Sequence, residues 1–451
     1  MRQGLLLAVG MMQQAHHAKL VASRQRIWRQ LPGMALRQII ELTRRPRLAS
    51  ALPLLAPDNV VSRTVKIAHL YLSMPVGGAE DLTVGVMREM PPGFAIEPVC
   101  LRELGVVGSE LQRAGAPIHL LPVAPNKRLS LPGILRLARW LREQGFAVVH
   151  TQVYNAHVYG ALAAARAGLP AVIHHQKTFR GMRWHRLLMM KWLTRLVPAQ
   201  ITLSEQTRGD VVRELGAKPG RVLVLPNAVD TASFCPPDDR AALRRSLGLD
   251  PDQFIFGTVA SLTAPKNHAA NLAMWGAAQA QGLDASFLLC GEGALRGELE
   301  RTALQLGIAG RFRFLGNQRP VHPWVRSMDA FVLCSTWEGQ PLAILQALGC
   351  GLPVIASRIE GNVAVLGADH PGLFNLGQPG DYTAKVLAVR RDPAFRRAIV
   401  EHQQTRSPSV PSVRECASTL AELYRRIIDR RELDTLHLLG GGSRRPAAAT
   451  A

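Results

Sequence analysis

Cysteine, aromatic and acidic residues are all scarce in this 451-residue chain. The six cysteines, Cys100, Cys235, Cys290, Cys334, Cys350 and Cys416, form no C-x-x-C pair. That excludes a disulfide framework and a zinc site of the usual spacing, and fits reduced, buried thiols in a cytosolic protein. Aromatic residues make up 5%, which does not suit a nucleic-acid stacking surface, and no nucleic-acid-binding motif occurs. No uninterrupted apolar run reaches the roughly 20 residues of a membrane-spanning helix. Acids are outnumbered, 33 Asp and Glu against 54 Lys and Arg, for a formal charge of +21. That imbalance invites anionic partners: phosphate-bearing substrates or acidic lipid. The rest is an ordinary globular composition, 47% hydrophobic and 19% charged, with length for two or three domains.

Residues 1–62 stand apart, with nine Lys/Arg against Glu41 and Asp58. Between Arg24 and Arg47 apolar residues alternate with arginines. Two readings stay open: an amphipathic basic helix lying on anionic lipid, or an ordinary docking helix. The opening residues carry one Arg and a short apolar run without a clear cleavage site, so a signal peptide is a weak reading. From Val65 onward, short β-like runs alternate with longer amphipathic helical patterns, as parallel α/β sheets require. The paired prolines and acids of Thr231–Asp239 read as a linker, and a second alternation follows. The expected organisation is therefore a basic extension (1–62), a Rossmann-like domain (63–232), a second Rossmann-like domain (233–410), a helix packing back across the junction (411–432) and a low-complexity, disordered tail (433–451). Two doubly wound domains face each other across a cleft, where such sheets bind ligands.

Two loops carry the chemistry. The first strand, VKIAHLYL, runs into SMPVGGAED, whose Gly77 and Gly78 let a phosphate or sugar approach backbone N–H groups; a plain tight turn is the alternative. No G-x-G-x-x-G fingerprint follows that strand, which argues against a nicotinamide enzyme. The second loop opens STWEGQPLAILQALGCGLPVIAS, Ser335–Ser357. Glu338 precedes a helix expected from about Pro341 to Leu348, and Gln346 lies eight residues on. Both can face one extended ligand, or Glu338 merely complements the helix dipole. The single D-x-D, Asp250-Pro-Asp252, precedes a strand and reads as a turn, so no metal site is expected.

With these motifs in order, the chain resembles the family 4 retaining glycosyltransferases of GT-B architecture. The signature S-x-x-E-G-x-P…E-A-x-A-x-G-x-P-V-I-A reads here from Ser335 through Glu338 to Gln346 and Ala356. GGAE (77–80), VVHTQ (148–152), LPNAVD (225–230), GTVASLTAPKNH (257–268), LLCGEG (288–293) and FLGNQ (314–318) extend the likeness over about 64–405. Three positions depart from the pattern: Gln346 stands for the second glutamate of E-x7-E, Ser261 for an arginine, and Ala228 for a glycine. The resemblance implies a nucleotide-diphosphate sugar as donor and no required cofactor or metal. It assigns Lys266 to the leaving diphosphate and Glu338 to the sugar or the developing oxocarbenium ion. Donor contacts are expected from Gly78, Ser261, Gly316, Asn317, Gly339, Gln340, Pro341, Leu342 and Gln346. On the acceptor side it points to a histidine at the strand end that carries His174 and His175, and His150, at another strand end, is a further candidate by position. Strand alternation lets only one of His174 and His175 face the site, with Gln176 as the alternative counterpart. Lys177, Arg180 and Arg183 either meet a phosphorylated or lipid-linked acceptor or form a solvated basic loop. The implied product is a surface polysaccharide, lipopolysaccharide or lipid-linked oligosaccharide, made in the cytoplasm, peripherally on the inner membrane face. A nucleotide-sugar epimerase of the same fold and a catalytically weak scaffold are the rival readings.

Overall fold

The computed structural model describes residues 64–124, 129–176, 179, 182–406, 411–431 and 433. The basic extension of residues 1–62, Lys177, Arg180 and the tail beyond residue 433 lie outside the described residues.

Two wholly parallel sheets carry the chain. The first comprises β1 (Val65–Tyr71), β2 (Phe94–Cys100), β3 (His119–Leu120), β4 (Val148–Thr151), β5 (Ala171–His175), β6 (Ala199–Thr202) and β7 (Val222–Val224), in the order β3-β2-β1-β4-β5-β6-β7. The second comprises β8 (Ile255–Val259), β9 (Ser286–Cys290), β10 (Phe312–Gly316), β11 (Ala330–Leu333), β12 (Val354–Ser357) and β13 (Leu373–Phe374), in the order β10-β9-β8-β11-β12-β13. Both orders reverse once, between β1 and β4 and between β8 and β11. At that point the outgoing loops diverge and leave a crevice for ligand.

The strands are apolar almost throughout because helices cover both faces of each sheet. β4, β5 and β6 have no residue that is not buried. On one face of the first sheet Ala68, Leu70, Val149 and Ile173 pack with Leu137, Leu141 and the buried stretch Ala156–Ala164. On the other, Ile67, Val148, Val172 and Ile201 meet Val413, Leu420 and Tyr424 of the helix Val413–Ile428. That helix returns to the first sheet after the second is complete. Its entry is pinned where Val229 and Val413 exchange backbone hydrogen bonds with Pro411 and Val229 (2.8 and 3.1 Å). Ser412 caps it with Glu415 in a reciprocal capping box. The lobes are therefore joined by two adjacent crossings of the chain. None of the six cysteines is paired, and only Cys235 is not buried. Among the described residues no helix is long and apolar enough to cross a membrane.

Candidate active site

The loops leaving β8 and β11 meet at the switch point of the second sheet. β8 ends in a short 3-10 turn, Ala264–Lys266, followed by Asn267 in the left-handed region (φ 54). That turn ends on Lys266 at the cleft before the helix His268–Ala280 begins. β11 ends in Ser335–Pro341, followed by the helix Leu342–Gly349. The Thr336 N–H donates to the Pro265 carbonyl at 2.8 Å, fixing one loop against the other. Lys266 Nζ then donates to Glu338 Oε1 at 2.6 Å, across 72 residues of sequence. Ser335 Oγ donates to the same oxygen at 2.6 Å. With Oε1 so engaged, Oε2 remains for a ligand hydroxyl. The side chains are 25% and 10% exposed, so the pair is shielded yet reachable.

The backbone around this pair is tightly supported. Ser357 Oγ donates to the Ser335 carbonyl at 2.6 Å, and Asn362 Nδ2 to the Ser357 carbonyl at 2.8 Å. A Cβ on Gly361 would stand 2.5 Å from the Glu338 carbonyl, so only glycine lets the next helix come this close. Gly339 faces the other lobe: a Cβ there would stand 2.6 Å from the Gln176 carbonyl at the end of β5. Gly78, the first residue of the helix Gly78–Glu89, abuts Leu342, to which a Cβ would stand 3.0 Å away. The N-termini of two helices from opposite lobes thus meet where Gly78 abuts Leu342, and the N–H groups that begin the Leu342–Gly349 helix, just after Glu338, favour an anion. Glu80, in the first turn of the Gly78–Glu89 helix, has its carboxyl pushed up to about 6 by burial, against the opposing hydrogen bond from its own backbone.

The remaining donor-side residues are distributed as follows. Gln346 and Leu342 are half-buried on the Leu342–Gly349 helix, and Pro341 is its N-cap. Gly316 (φ 72) closes β10, and its carbonyl accepts from Gly291 N–H at 2.8 Å, which sets the loop bearing Asn317. Ser261 is exposed; its hydroxyl lies 3.2 Å from that of Thr263, and its carbonyl bonds His268 at 3.1 Å. Gln340 is placed differently from the expectation. Its side-chain oxygen accepts from Asn227 N–H at 2.5 Å and its carbonyl from Asn227 Nδ2 at 2.9 Å. Both of these Gln340 oxygens therefore brace the inter-lobe crossing at Asn227.

The acceptor-side histidines also require correction. His150, His174 and His175 are 0%, 6% and 3% exposed. His150 Nδ1 shares a 2.6 Å hydrogen bond with Tyr424 Oη, and its Nε2 lies 3.3 Å from His174 Nδ1. His175 points to the opposite face, where Nε2 meets Gln200 Oε1 at 2.8 Å. All three are packed between sheet and helices because the Val413–Ile428 helix and the Tyr154–Ala167 helix cover the two faces. Gln176, one residue further, is the side chain at the cleft, and its Nε2 donates to Gln152 Oε1 at 3.1 Å.

Sequence reasoning missed Arg319. It follows Gly316 and Asn317, and its guanidinium reaches the other lobe, to Asp81 Oδ1 at 2.7 Å and Glu110 Oε2 at 2.8 Å. One cation so ties the donor-side loop to the helix beginning at Gly78. These pairs are 27–40% exposed, and such ion pairs contribute about 0.2–1 kcal/mol each. Arg319→Ala is expected to raise the donor KM about 3–10-fold at low salt, with the difference shrinking in 0.5 M salt; steady-state kinetics at both ionic strengths check it. No sequence signal marks it.

Residues 76–233 match the family described as Glycosyltransferase Family 4, and residues 253–392 match Glycosyl transferases group 1. The chain is a family 4-type glycosyltransferase. This glycosyltransferase is 28% identical over 343 residues to UDP-Gal:alpha-D-GlcNAc-diphosphoundecaprenol alpha-1,3-galactosyltransferase of Escherichia coli, covering 73% of this chain and 88% of that protein. It is 28% identical over 344 residues to the putative glycosyltransferase EpsF of Bacillus subtilis, covering 72% and 87%. The fold superposes on that of Anabaena Alr3699/HepE in complex with UDP-glucose, with a TM-score of 0.68 and 21% identity over 80% of this chain and 99% of that one. The architecture is GT-B, and the enzyme is a transferase, not an epimerase.

Proposed function

We propose that this glycosyltransferase moves a hexosyl group, with retention, from a nucleotide-diphosphate sugar to a glycan or lipid-linked acceptor in the assembly of a surface polysaccharide or lipopolysaccharide. The 2.6 Å approach of Lys266 to Glu338 at the switch point carries the reading. Breaking the anomeric bond leaves growing charge on the diphosphate. Lys266 supplies a fixed positive charge there, and the N–H groups beginning the Leu342–Gly349 helix add the positive end of a dipole. Glu338, free at Oε2, takes a sugar hydroxyl and lies beside the anomeric carbon as cationic character develops. Its partner in the signature is Gln346, a neutral hydrogen-bonding side chain. The pair therefore does not supply the two carboxylates of a glycosidase-type double displacement. Same-face attack, with the leaving phosphate oxygen accepting the acceptor's proton, fits that inventory. The acceptor enters past Gln176 and Gln152.

A donor screen by released-nucleotide detection tests this. One nucleotide sugar is expected to release nucleotide faster when a lipid-linked or oligosaccharide acceptor is added. Donor binding with no turnover across acceptors would instead favour a scaffold that has lost catalysis.

A further inference from the structure

The crossing from the first lobe to the second runs alongside the donor-side helix Leu342–Gly349. Asn227 bonds Gln340 just before that helix begins. Where it ends, a Cβ on Gly349 would stand 2.7 Å from the Phe234 carbonyl, and one on Gly351 would stand 3.6 Å from Pro236 Cγ. Between these two contacts lie Cys235 on one strand of chain and Cys350 on the other, so the fold sets them side by side although they are far apart in sequence. Each is held in place. Asp230 braces the turn before Cys235: its Oδ1 accepts from the Ala232 N–H at 3.1 Å, its Oδ2 from Ser233 Oγ at 2.6 Å, and its carbonyl from the Phe234 N–H at 2.8 Å. Pro236 and Pro237 stiffen the chain after it. Cys350 is the C-cap of the helix, and its N–H donates to the Gln346 carbonyl at 3.1 Å.

The two thiols differ in character. Cys350 is 1% exposed, and burial first, then the neighbouring Cys235, pushes its thiol up to about 12. Cys235 is the one cysteine of the six that is not buried, and its Sγ donates to the Ala232 carbonyl at 3.4 Å. Two cations share the cluster, since the charges of Arg326 and Arg240 both act on Cys350. The Nε of each is buried without a hydrogen-bond partner among the described residues, while Arg240 Nη1 donates to Asp329 Oδ1 at 3.2 Å. An accessible thiol in electropositive surroundings is the reactive kind, and a second thiol beside it is placed to resolve an oxidised sulfur. By contrast, burial alone raises the thiols of Cys290, Cys334 and Cys416.

We propose that Cys235 and Cys350 form a reversible dithiol–disulfide pair that responds to peroxide and ties the inter-lobe crossing to the end of the donor-side helix. The Cys235 thiolate attacks one oxygen of hydrogen peroxide; the O–O bond breaks and hydroxide leaves, which gives a sulfenic acid on Cys235. The Cys350 sulfur then attacks the Cys235 sulfur. The S–S bond forms, the S–O bond breaks, and the departing hydroxide takes the Cys350 proton as water. The two thiols give up two electrons and peroxide accepts them, so the products are one disulfide and two waters. An external dithiol restores both thiols by exchange. The pair lies at the opposite end of the helix from Glu338, so this chemistry does not depend on the transferase reading.

The test treats the reduced full-length chain with hydrogen peroxide, blocks the remaining thiols with an alkylating reagent, and maps the peptides by mass with and without reductant. Wild type is expected to yield a Cys235–Cys350 disulfide peptide, about 2 Da lighter than its two reduced parts together, which dithiothreitol removes. Cys350→Ala is expected to stop at the sulfenic acid, captured on Cys235 by dimedone. Cys235→Ser is expected to slow the loss of thiols to peroxide by at least about tenfold, because the thiols that remain are buried. The mapping on wild type needs no variant, so a variant that folds poorly does not decide the matter. Thermal midpoints separate oxidation in the fold from oxidation after unfolding: the oxidised form should melt no lower than the reduced one, since an unstrained cross-link restricts the unfolded chain. Each of the following would overturn the proposal: no Cys235–Cys350 peptide, another pairing as the main product, pairing only in denaturant, thiol loss in a folded Cys235→Ser as fast as in wild type, or an oxidised form that melts several degrees lower.

Discussion

Replacing Lys266 by alanine is expected to slow transfer on the best donor by about 10²–10³-fold, the usual cost of removing one preorganised group aimed at developing charge. The donor already bears diphosphate charge when it binds, and more appears as the anomeric bond breaks. The loss should therefore be larger in kcat than in KM, because the interaction strengthens towards the transition state. Lys266→Arg keeps the charge but exchanges a compact ammonium for a planar fork. In a site where Nζ already lies 2.6 Å from Glu338 Oε1, that geometry is expected to recover only part of the rate. Glu338→Gln separates charge from hydrogen bonding: its amide oxygen can still accept from Ser335, but the carboxylate charge is gone. Turnover of Lys266→Ala within threefold of wild type would remove the leaving-group assignment and leave the architecture without its mechanism.

Lys266 and Glu338 entered the sequence reading separately, through the resemblance, and the reason that their loops meet is topological. Largely apolar runs at Val65–Tyr71, Ser286–Cys290 and Val354–Ala356 could be recognised as strands because covered parallel sheets need nearly continuous apolar segments. Once β8 and β11 are neighbours, with Ala330 beside Phe256, their outgoing loops must share an edge. What stayed hidden depends on contacts between distant segments. His150 was read as a strand-end candidate, which is correct locally. Its hydrogen bond to Tyr424, 274 residues away, exists only because the Val413–Ile428 helix returns to cover that face. Gln340 likewise entered as a donor contact through the resemblance, and only the inter-lobe crossing at Asn227 shows where its side-chain oxygen and carbonyl go. Arg319 sits in no motif, and its value comes from two carboxylates on helices of the other lobe.

Acidification from pH 7 to pH 5 is expected to destabilise the first lobe by several kcal/mol, through the histidines that are buried instead of facing substrate. His69, His150 and His174 line one face of the sheet, with ring centroids 4.3 and 5.4 Å apart. His69 and His174 are each lowered to about 3, by burial first and by a neighbouring histidine second. His175, on the opposite face, is lowered to about 4 by burial, only partly offset by its hydrogen bond to Gln200. In the unfolded chain such groups titrate near 6.5. As pH falls through 6.5 the unfolded state takes up protons that the folded state excludes, so stability declines until the folded-state values near 3–4 are reached. Each of these three histidines contributes about 2 kcal/mol between pH 7 and pH 5, set against a total of about 5–15 kcal/mol for a typical domain. Urea midpoints at the two pH values measure the difference, and equal midpoints would contradict it. His69→Phe sharpens the test. Both ring nitrogens of His69 are buried without a hydrogen-bond partner among the described residues. An apolar ring there should be neutral or stabilising at pH 7, because it removes two unsatisfied polar atoms. The same variant should flatten the acid slope by about one proton, since the group that must charge on unfolding is gone. Because His150 bonds Tyr424 on the returning helix, protonation at this cluster would loosen that helix first, and with it the crossing that holds the lobes in register.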